Sequence, residues 1–341
     1  MYEYALQNNA TLKVMSMHDA KNDALGNEYF PAEIFYGYGA AKATFITEAV
    51  KEGIKSNLVI LSHFNLLLAA WLIKKIAPKT KVVLIAHGIE VWQPLDLRHS
   101  KMLNACDRII SVSSFTKNKI IELHNLPAEK CVVLNNCIDP FLEKPATKTR
   151  SELLQKRYSF CNDDIILLTL TRLSLKDRYK GYSFVLEALK EIVKTKPNIK
   201  YLLAGSYEAN EKEFIEKLIA SYNLQNNVII TGFIADEELP AHFSLADIYV
   251  MPSVKEGFGI VFVEAMYYGV PVIAANADGS TDALLQGQLG LLTNPESTTE
   301  VINALNKMLD NYNAYLPNQK LLMDNFGYEA YKNKLEKVIS F

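Results

Sequence analysis

Short apolar segments of strand length alternate with segments of helical periodicity along almost the whole chain. This alternation is typical of parallel sheets with helices on their faces, because each parallel connection needs a helix-sized crossover. We predict strands at residues 11–17, 57–62, 81–86, 108–112 and 131–134, and again at 164–171, 200–205, 227–231, 247–251 and 271–275. With 341 residues, 49% of them hydrophobic, the chain is long enough for two such sheets, each with its own core. The sequence predicts an α/β protein of two doubly wound, Rossmann-like domains that face a cleft, with ligands at the carboxyl ends of the strands.

A polar segment at residues 144–157, which includes Pro145, separates the two series of strands. We expect a first domain at 1–155, a second at 156–325 and a final helix at 326–341 that packs back on the body. The amino end is unusual, since residues 2–8 resemble the end of a helix with no strand and glycine-rich turn before it. We therefore expect the first domain to lack its first strand and that turn.

Two carboxylates stand eight residues apart in the second half, at Glu256 and Glu264. Residues 252–259 follow a predicted strand, and a helix is predicted over 260–268, so Glu256 lies in the strand-to-helix turn and Glu264 in the helix. Glycines in such a turn let backbone N–H groups approach a ligand, and a helix N-terminus favours a negatively charged group. A carboxylate there repels phosphate but suits the hydroxyl groups of a sugar. Recognition of phosphate and sugar at one turn indicates an enzyme that uses a nucleotide sugar.

A second candidate segment, residues 171–181, follows the strand predicted at 164–171 and ends where a helix begins near Tyr182. It carries Arg172 and Lys180. A fixed pair of cations suits a leaving diphosphate, whose charge grows as the bond to the sugar breaks. The alternative is a solvated basic loop, and the nearby carboxylate turn favours the diphosphate interpretation.

Three histidines, His18, His63 and His87, each follow a predicted strand of the first half. A three-histidine metal site is conceivable, but no carboxylate or cysteine spacing supports it, so we expect no metal. We favour a hydrogen-bonding imidazole at His87 beside a sugar, with His18 and His63 as structural groups. Residues 278–282 likewise follow a strand, and both a capped turn and a ligand-facing loop stay open for them.

Taken together, these motifs resemble the retaining glycosyltransferases of family 4, which have the GT-B fold of two Rossmann-like domains. The resemblance covers most of the chain and is densest in the second half. It is carried by His87-Gly88, residues 111–113, residues 136–139, residues 172–181, residues 232–234, residues 256–264 and the Ala-Met-x-x-Gly-Val-Pro-Val segment at 265–272.

The resemblance implies a role for each matching residue. Arg172 and Lys180 would hold the donor diphosphate and, with the helix N-terminus, stabilise the leaving group, so that neither a metal ion nor another cofactor is expected. Glu264 would bind the ribose, and His87 would reach the transferred sugar from the opposite domain. The catalytic residues implied are His87, Arg172, Lys180 and Glu256. The further donor contacts implied are Gly257, Phe258, Gly259 and Ile260 around the sugar and Ile234 near the base through its backbone.

The implied function is a retaining transferase that moves a hexose or N-acetylhexosamine from a nucleoside diphosphate sugar, with uridine as the base. The acceptor would be a growing surface polysaccharide or glycolipid, as in bacterial lipopolysaccharide biosynthesis. Two alternatives stay open: a nucleotide-sugar epimerase or hydrolase of the same fold, and an inactive, truncated nucleotide-sugar binder.

Net charge, hydropathy and cysteine spacing limit where the protein can be located and which partners it can bind. A net charge of −2 gives no bulk electrostatic attraction for nucleic acid. No apolar run approaches the roughly 20 residues needed to span a membrane, and the four cysteines contain no C-x-x-C pair, so we expect a cytoplasmic protein. A basic helix predicted at residues 71–81 leaves peripheral contact with the inner face of the membrane open, beside the alternative of a solvated helix.

Overall fold

A computed structural model of the chain describes residues 1–144 and 148–341, which form two compact units. The first unit contains Met1–Leu134 and Lys332–Phe341, and the second contains Asn135–Tyr331. Residues 135–144 thus belong to the second unit, whereas the sequence places them in the first domain. The linker predicted at 144–157 falls partly on residues 145–147, which lie outside the described residues, and its end is helical.

The first unit is built on a parallel sheet in the order β3-β4-β5-β6, beside a separate parallel pair, β1-β2. The strands are β1 Val14–Ser16, β2 Phe35–Gly37, β3 Leu58–Leu61, β4 Lys81–Ala86, β5 Arg108–Ser111 and β6 Cys131–Val133. Val82, Val83 and Leu84 of β4 are fully buried because helices cover both faces of a central parallel strand. The strand predicted at 11–17 is β1, but it pairs with β2, a strand that the sequence analysis missed.

From β2 onward, strands and helices of the first unit alternate, as expected. They are α1 Tyr2–Gln7, α2 Lys42–Gly53, α3 Leu67–Ile76, α4 Leu97–Asn104 and α5 Ser114–His124. The hydroxyl of Ser113 accepts the N–H of Thr116 and so caps α5. The basic helix predicted at 71–81 is wrong in its extent, because α3 ends at Ile76 and Lys81 begins β4. Membrane contact by this segment stays a prediction.

The second unit contains a larger parallel sheet in the order β12-β11-β10-β7-β8-β9. Its strands are β7 Ile165–Leu170, β8 Ile199–Ala204, β9 Val228–Gly232, β10 Ile248–Met251, β11 Val272–Ala275 and β12 Leu291–Thr293, of which only β12 was not predicted. From β7 the chain continues to β8 on one side, and from β10 it continues to β11 on the other. The strand order therefore reverses between these two neighbours, and ligands of doubly wound sheets bind at the carboxyl ends of such a pair.

The helices of the second unit cover both faces of this sheet. They are α6 Glu152–Tyr158, α7 Tyr182–Ile192, α8 Ala209–Ser221, α9 Leu239–Leu245, α10 Ile260–Tyr267, α11 Ser280–Ala283, α12 Thr298–Asp310 and α13 Gln319–Phe326. The predicted start of a helix at Tyr182 and the predicted helix at 260–268 are both confirmed, the latter to within one residue.

The final helix, α14, runs over Tyr328–Ile339, within the predicted range of 326–341. Its last turns belong to the first unit, where the Arg108 guanidinium donates to the carbonyl of Ser340 at 3.0 Å and lies 4.4 Å from the centre of the Phe341 ring. Across the described residues, every helix is too short or too polar to cross a membrane.

Candidate functional site

Two loops of the second unit meet at the carboxyl ends of β7 and β10. The loop at residues 171–181 follows β7, and the turn at residues 252–259 follows β10. The N–H of Val254 donates to the carbonyl of Tyr179 at 2.7 Å, which ties the two loops together. Gly181 has a φ of +82°, and a Cβ at this position would lie 2.1 Å from the carbonyl oxygen of Pro252. Only glycine allows so close an approach.

An ion pair joins the two loops where the sequence predicted separate contacts. Nζ of Lys180 lies 2.5 Å from Oε2 of Glu256. The two side chains are only 18% and 14% exposed, so water screens their attraction less than at an open surface. The structure therefore joins two residues with different predicted roles in one ion pair. Lys180 is predicted to bind the diphosphate, and Glu256 is predicted to bind the sugar.

Arg172 also has a carboxylate partner, Asp177, within its own loop. The guanidinium Nε donates to Oδ2 of Asp177 at 2.8 Å, and the Arg172 side chain is otherwise 71% exposed. Asp177 is buried and accepts two further hydrogen bonds, from the Ser174 hydroxyl at 2.6 Å and the Tyr179 hydroxyl at 3.3 Å. Burial alone would raise the pKa of Asp177, but the hydrogen bonds from Arg172 and Ser174 outweigh it and lower the pKa. The carboxylate thus stays ionised and holds Arg172 at the mouth of the loop.

The loop is fastened to α8 by Arg178, which the sequence analysis did not single out. Its Nε donates to both carboxylate oxygens of Glu211, at 2.8 and 3.0 Å, and its guanidinium lies 3.7 Å from the centre of the Phe214 ring. Glu211 is 1% exposed and also accepts the hydroxyl of Tyr182. In the sequence, the signal for Arg178 is the Asp177-Arg178 pair, which lies between Arg172 and Lys180 in a loop rich in cations.

A buried aspartate, Asp278, shapes the turn after β10. Its Oδ2 accepts the N–H of Glu256 at 2.7 Å and the hydroxyl of Ser253 at 2.8 Å, and its Oδ1 accepts the N–H of Ser280 at 2.9 Å. Burial raises the pKa of Asp278 despite these bonds. Of the two interpretations left open for residues 278–282, this geometry supports a structural role for Asp278: it positions Glu256 and does not itself face a ligand.

Glu264 lies on α10, whose N-cap residue Gly259 has a φ of +82°. Its carboxylate is half-buried, and no described residue donates a hydrogen bond to it or forms an ion pair with it. Burial raises the pKa of Glu264, and the like charges of Asp139 and Asp236 raise it further. An unpaired carboxylate in such a position gains from a ligand that supplies hydroxyl donors.

The remaining predicted contacts of this unit are glycines and apolar residues. Phe258 is 2% exposed, and its ring packs edge-on against Phe326 at 5.6 Å. Ile234 is 6% exposed and follows Gly232, whose φ is +79°. Gly257 lies in the turn before α10, and Ile260 is the first residue of that helix. Their predicted contacts with a sugar or a base stay predictions.

His87 belongs to the first unit and is exposed at the end of β4. Its Nε2 lies 2.8 Å from the carbonyl of Ser62, so Nε2 carries the proton and Nδ1 is left as an acceptor. His63 caps a short 3₁₀ turn by accepting the N–H of Asn65 at Nδ1, a structural role, and His18 is exposed. Within the described ranges, no group of three His, Cys, Asp or Glu side chains could hold a metal ion.

Comparison with known families gives two matches along this chain. Residues 151–333 match the family described as "Glycosyl transferases group 1", and residues 18–141 match "Glycosyltransferase Family 4". A GDP-mannose-dependent alpha-(1-6)-phosphatidylinositol monomannoside mannosyltransferase of Mycobacterium tuberculosis is 30% identical over 246 residues, which are 69% of this chain and 62% of that protein. The alpha-D-kanosaminyltransferase of Streptomyces kanamyceticus is 28% identical over 59% of this chain and 51% of its own. The chain therefore spans between half and two thirds of these relatives.

A solved structure gives a match of greater extent. The Anabaena protein HepE, crystallised with UDP and glucose, superposes with a TM-score of 0.77 over 97% of this chain and 92% of its own, at 21% identity. At that identity the likeness concerns the fold, which is GT-B, as the sequence predicted.

Proposed function

This chain belongs to the family of group 1 glycosyl transferases, and from that premise we propose that it is a retaining, metal-independent hexosyltransferase. It takes a hexose or N-acetylhexosamine from a nucleoside diphosphate donor and transfers it to a growing surface polysaccharide or glycolipid. Several relatives are named as transferases of mannose, kanosamine or N-acetylglucosamine, which supports a sugar nucleotide as the donor.

The observation that carries this proposal is the joining of Lys180 and Glu256 beside the unpaired Glu264. A cation suited to a diphosphate and a carboxylate suited to sugar hydroxyls lie in contact at the point where the strand order reverses. A second hydroxyl acceptor, Glu264, follows within the same strand-turn-helix segment. A nucleoside diphosphate sugar has a diphosphate between a ribose and a hexose. It therefore needs one cation for the diphosphate and a hydroxyl acceptor for each of the two sugars.

Each residue of the second unit then has a distinct part in the reaction. Lys180, Arg172 and the N-terminus of α10 stabilise the charge that develops on the leaving diphosphate, which is the work that a metal ion does in other transferases. Glu264 accepts the ribose hydroxyls. Glu256 and the backbone of residues 257–260 contact the transferred sugar, and the backbone of Ile234 lies near the base.

When a hydroxyl group of the acceptor attacks the anomeric carbon, a base must take the proton of that hydroxyl. We assign attack of the acceptor hydroxyl to the face from which the diphosphate leaves, with a diphosphate oxygen taking the hydroxyl proton, so that the configuration is retained. His87 is assigned a hydrogen bond to the sugar through Nδ1, the ring nitrogen that Ser62 leaves as an acceptor.

Uridine is the proposed base. The support is that HepE, which matches almost the whole of this chain, is described in complex with UDP. The mycobacterial relative is named as GDP-mannose-dependent, so guanine is the competing base.

Calorimetric titration of the full chain with UDP, GDP and ADP, in the presence of EDTA, tests the donor site. We expect one nucleotide to bind, with binding lost in Glu264→Ala and kept in Glu216→Ala, a control on the exposed part of α8. Binding by no nucleotide, or binding that needs a divalent cation, would contradict the proposal. Release of hexose to water without transfer to any added glycan would instead favour a hydrolase.

A further inference from the structure

We propose that Glu256 alternates between Lys180 and the hydroxyl groups of the donor sugar, and thereby makes the site prefer the complete donor over the nucleoside diphosphate product. The proposal rests on the proposed function, because it concerns the same site. It adds a role that the sugar contact alone does not give: the carboxylate weakens product binding.

The two carboxylate counterions differ in their freedom to move. Asp177, the partner of Arg172, is buried and receives hydrogen bonds from three side chains, so it is fixed. Glu256 has a single side-chain partner among the described residues, Lys180. Its carboxylate can therefore leave Lys180 at the cost of one ion pair, whereas that of Asp177 cannot leave Arg172 without breaking a network.

The main chain that carries Glu256 is held in place by hydrogen bonds. Its N–H donates to Asp278 at 2.7 Å, and its carbonyl accepts the N–H of Gly279 at 2.8 Å. The residue is thus anchored on both sides of its Cα atom. Rotation of the side chain alone moves the carboxylate, and the loop can keep its shape throughout the exchange.

The charge of Glu256 opposes the binding of a phosphate at Lys180. A phosphate oxygen that binds Lys180 while Glu256 remains there places two anions on one ammonium group. Because both side chains are largely shielded from water, their mutual repulsion is screened less than in bulk solvent. A nucleoside diphosphate without a sugar meets this repulsion in full.

The complete donor removes that repulsion. Its hexose brings hydroxyl groups that donate to a carboxylate, so Glu256 can leave Lys180 and keep a full set of hydrogen bonds. Lys180 is then free for the diphosphate. After transfer the sugar is gone, Glu256 returns to Lys180, and product release is favoured.

The test is to measure the dissociation constants of UDP and UDP-glucose for the unmodified chain and for Glu256→Gln. Glutamine keeps the shape of the side chain and removes the charge. We expect UDP to bind about three- to tenfold more tightly, in line with the strength of a partly exposed ion pair, and UDP-glucose to bind more weakly. If the titration panel selects guanine, GDP and GDP-mannose are the probes.

Two further variants control this experiment. Glu213→Gln makes the same change of charge on α8, where Glu213 pairs with Lys217 and is 65% exposed, and it should change neither constant. Glu256→Asp keeps the charge but shortens the side chain by one methylene, which weakens its contact with Lys180, and it should also tighten UDP. Thermal unfolding of each variant establishes that it is folded.

The opposite signs expected for the two ligands distinguish the proposal from a merely structural role. Weakening of both ligands, or no change for UDP, overturns it, and so does equal tightening of UDP by Glu213→Gln. Failure of the unmodified chain to bind any nucleotide overturns both this inference and the proposed function. Binding that Glu264→Ala removes but Glu256→Gln does not tighten overturns the inference alone.

Discussion

The N–H of Glu256 donates to Oδ2 of Asp278 at 2.7 Å, so a carboxylate from the loop after β11 fixes the turn after β10. The same oxygen accepts the hydroxyl of Ser253, and the other oxygen accepts the N–H of Ser280. Gly279 follows and approaches the turn so closely that a Cβ there would lie 2.1 Å from the carbonyl of Gly257. The position of Glu256 thus depends on a residue that contacts no proposed ligand.

Replacement of Asp278 by alanine should lower both stability and affinity for the complete donor, because Glu256 is then misplaced for the sugar. Three donors lose their acceptor, and buried donors without a partner cost roughly 1–3 kcal/mol of unfolding free energy. Urea unfolding and titration with UDP-glucose measure the two effects. Asp324→Ala, at an exposed i,i+4 pair with Lys320, is the control that should leave both unchanged. Loss of stability with unaltered affinity would show that Asp278 does not position Glu256.

Glu264→Gln should stabilise the unliganded protein at neutral pH while it weakens nucleotide binding. Burial, with Asp139 and Asp236, raises the folded-state pKa of Glu264, so the ionised carboxylate opposes folding. A group whose folded pKa is raised loses stability as the pH rises through that pKa, and glutamine avoids this loss. Below about pH 4.3, the ordinary pKa of a glutamate, the advantage of the variant should vanish.

Unfolding of both proteins in urea across pH 4 to 8 tests the stability part. The binding part follows from hydrogen bonds to a charged acceptor, which contribute roughly 1.5–3 kcal/mol, so nucleotide affinity should fall by about tenfold or more. Glu216→Gln on the exposed part of α8 is the control. A variant less stable than the unmodified chain at neutral pH would mean that Glu264 has a stabilising partner in the folded state.

The fold was largely predictable because parallel strands buried on both faces leave apolar runs that are hard to mistake. β4, with four fully buried residues, is predicted to the residue. β2 and β12 were missed because each has three residues and too little apolar sequence to stand out. β1 was predicted, but its partner β2 was not. The hydrophobic pattern of a strand indicates which of its faces is buried and does not indicate which strand it pairs with.

The sequence singles out candidate residues for the site but does not show the contacts between them. Glu256, Glu264, Arg172 and Lys180 stand out because glycines and charges at strand ends have few other uses. That Lys180 and Glu256 form an ion pair depends on the adjacency of β7 and β10, which lie far apart in sequence. Buried supports such as Asp278 and Glu211 resemble ordinary surface acids until the fold places them in the interior.

Lys180→Met should lower kcat by about a hundredfold with a smaller effect on donor affinity. Its charge matters most as the diphosphate leaves, and loss of one preorganised charge at a developing anion has an effect of that order. Steady-state kinetics with the complete donor and an added glycan acceptor measure kcat and KM separately. Lys176→Met, an exposed lysine of the same loop, is the matched control. A change confined to KM would assign Lys180 to ground-state binding instead.

Gly181→Ala should damage both the fold and the site more than the same substitution at Gly269. The two glycines have similar backbones, with φ of +82° and +75°, so both substitutions carry the cost of placing alanine in the left-handed region. A Cβ at Gly269 meets nothing within 4 Å, whereas one at Gly181 lies 2.1 Å from the carbonyl of Pro252. The additional loss of unfolding free energy at Gly181 should be about 1–3 kcal/mol, which is typical of overpacking.

The same clash should also affect the chemistry, because Gly181 follows Lys180 directly and forms the contact between the two loops. We expect Gly181→Ala to lower donor affinity and turnover, and Gly269→Ala to leave both near their original values once the protein is folded. Urea unfolding and kinetics on the two variants give the comparison. Equal losses at the two positions would mean that the loops move apart to accommodate the Cβ at no additional cost. They would also mean that the Lys180–Glu256 pair does not depend on the close contact between the loops.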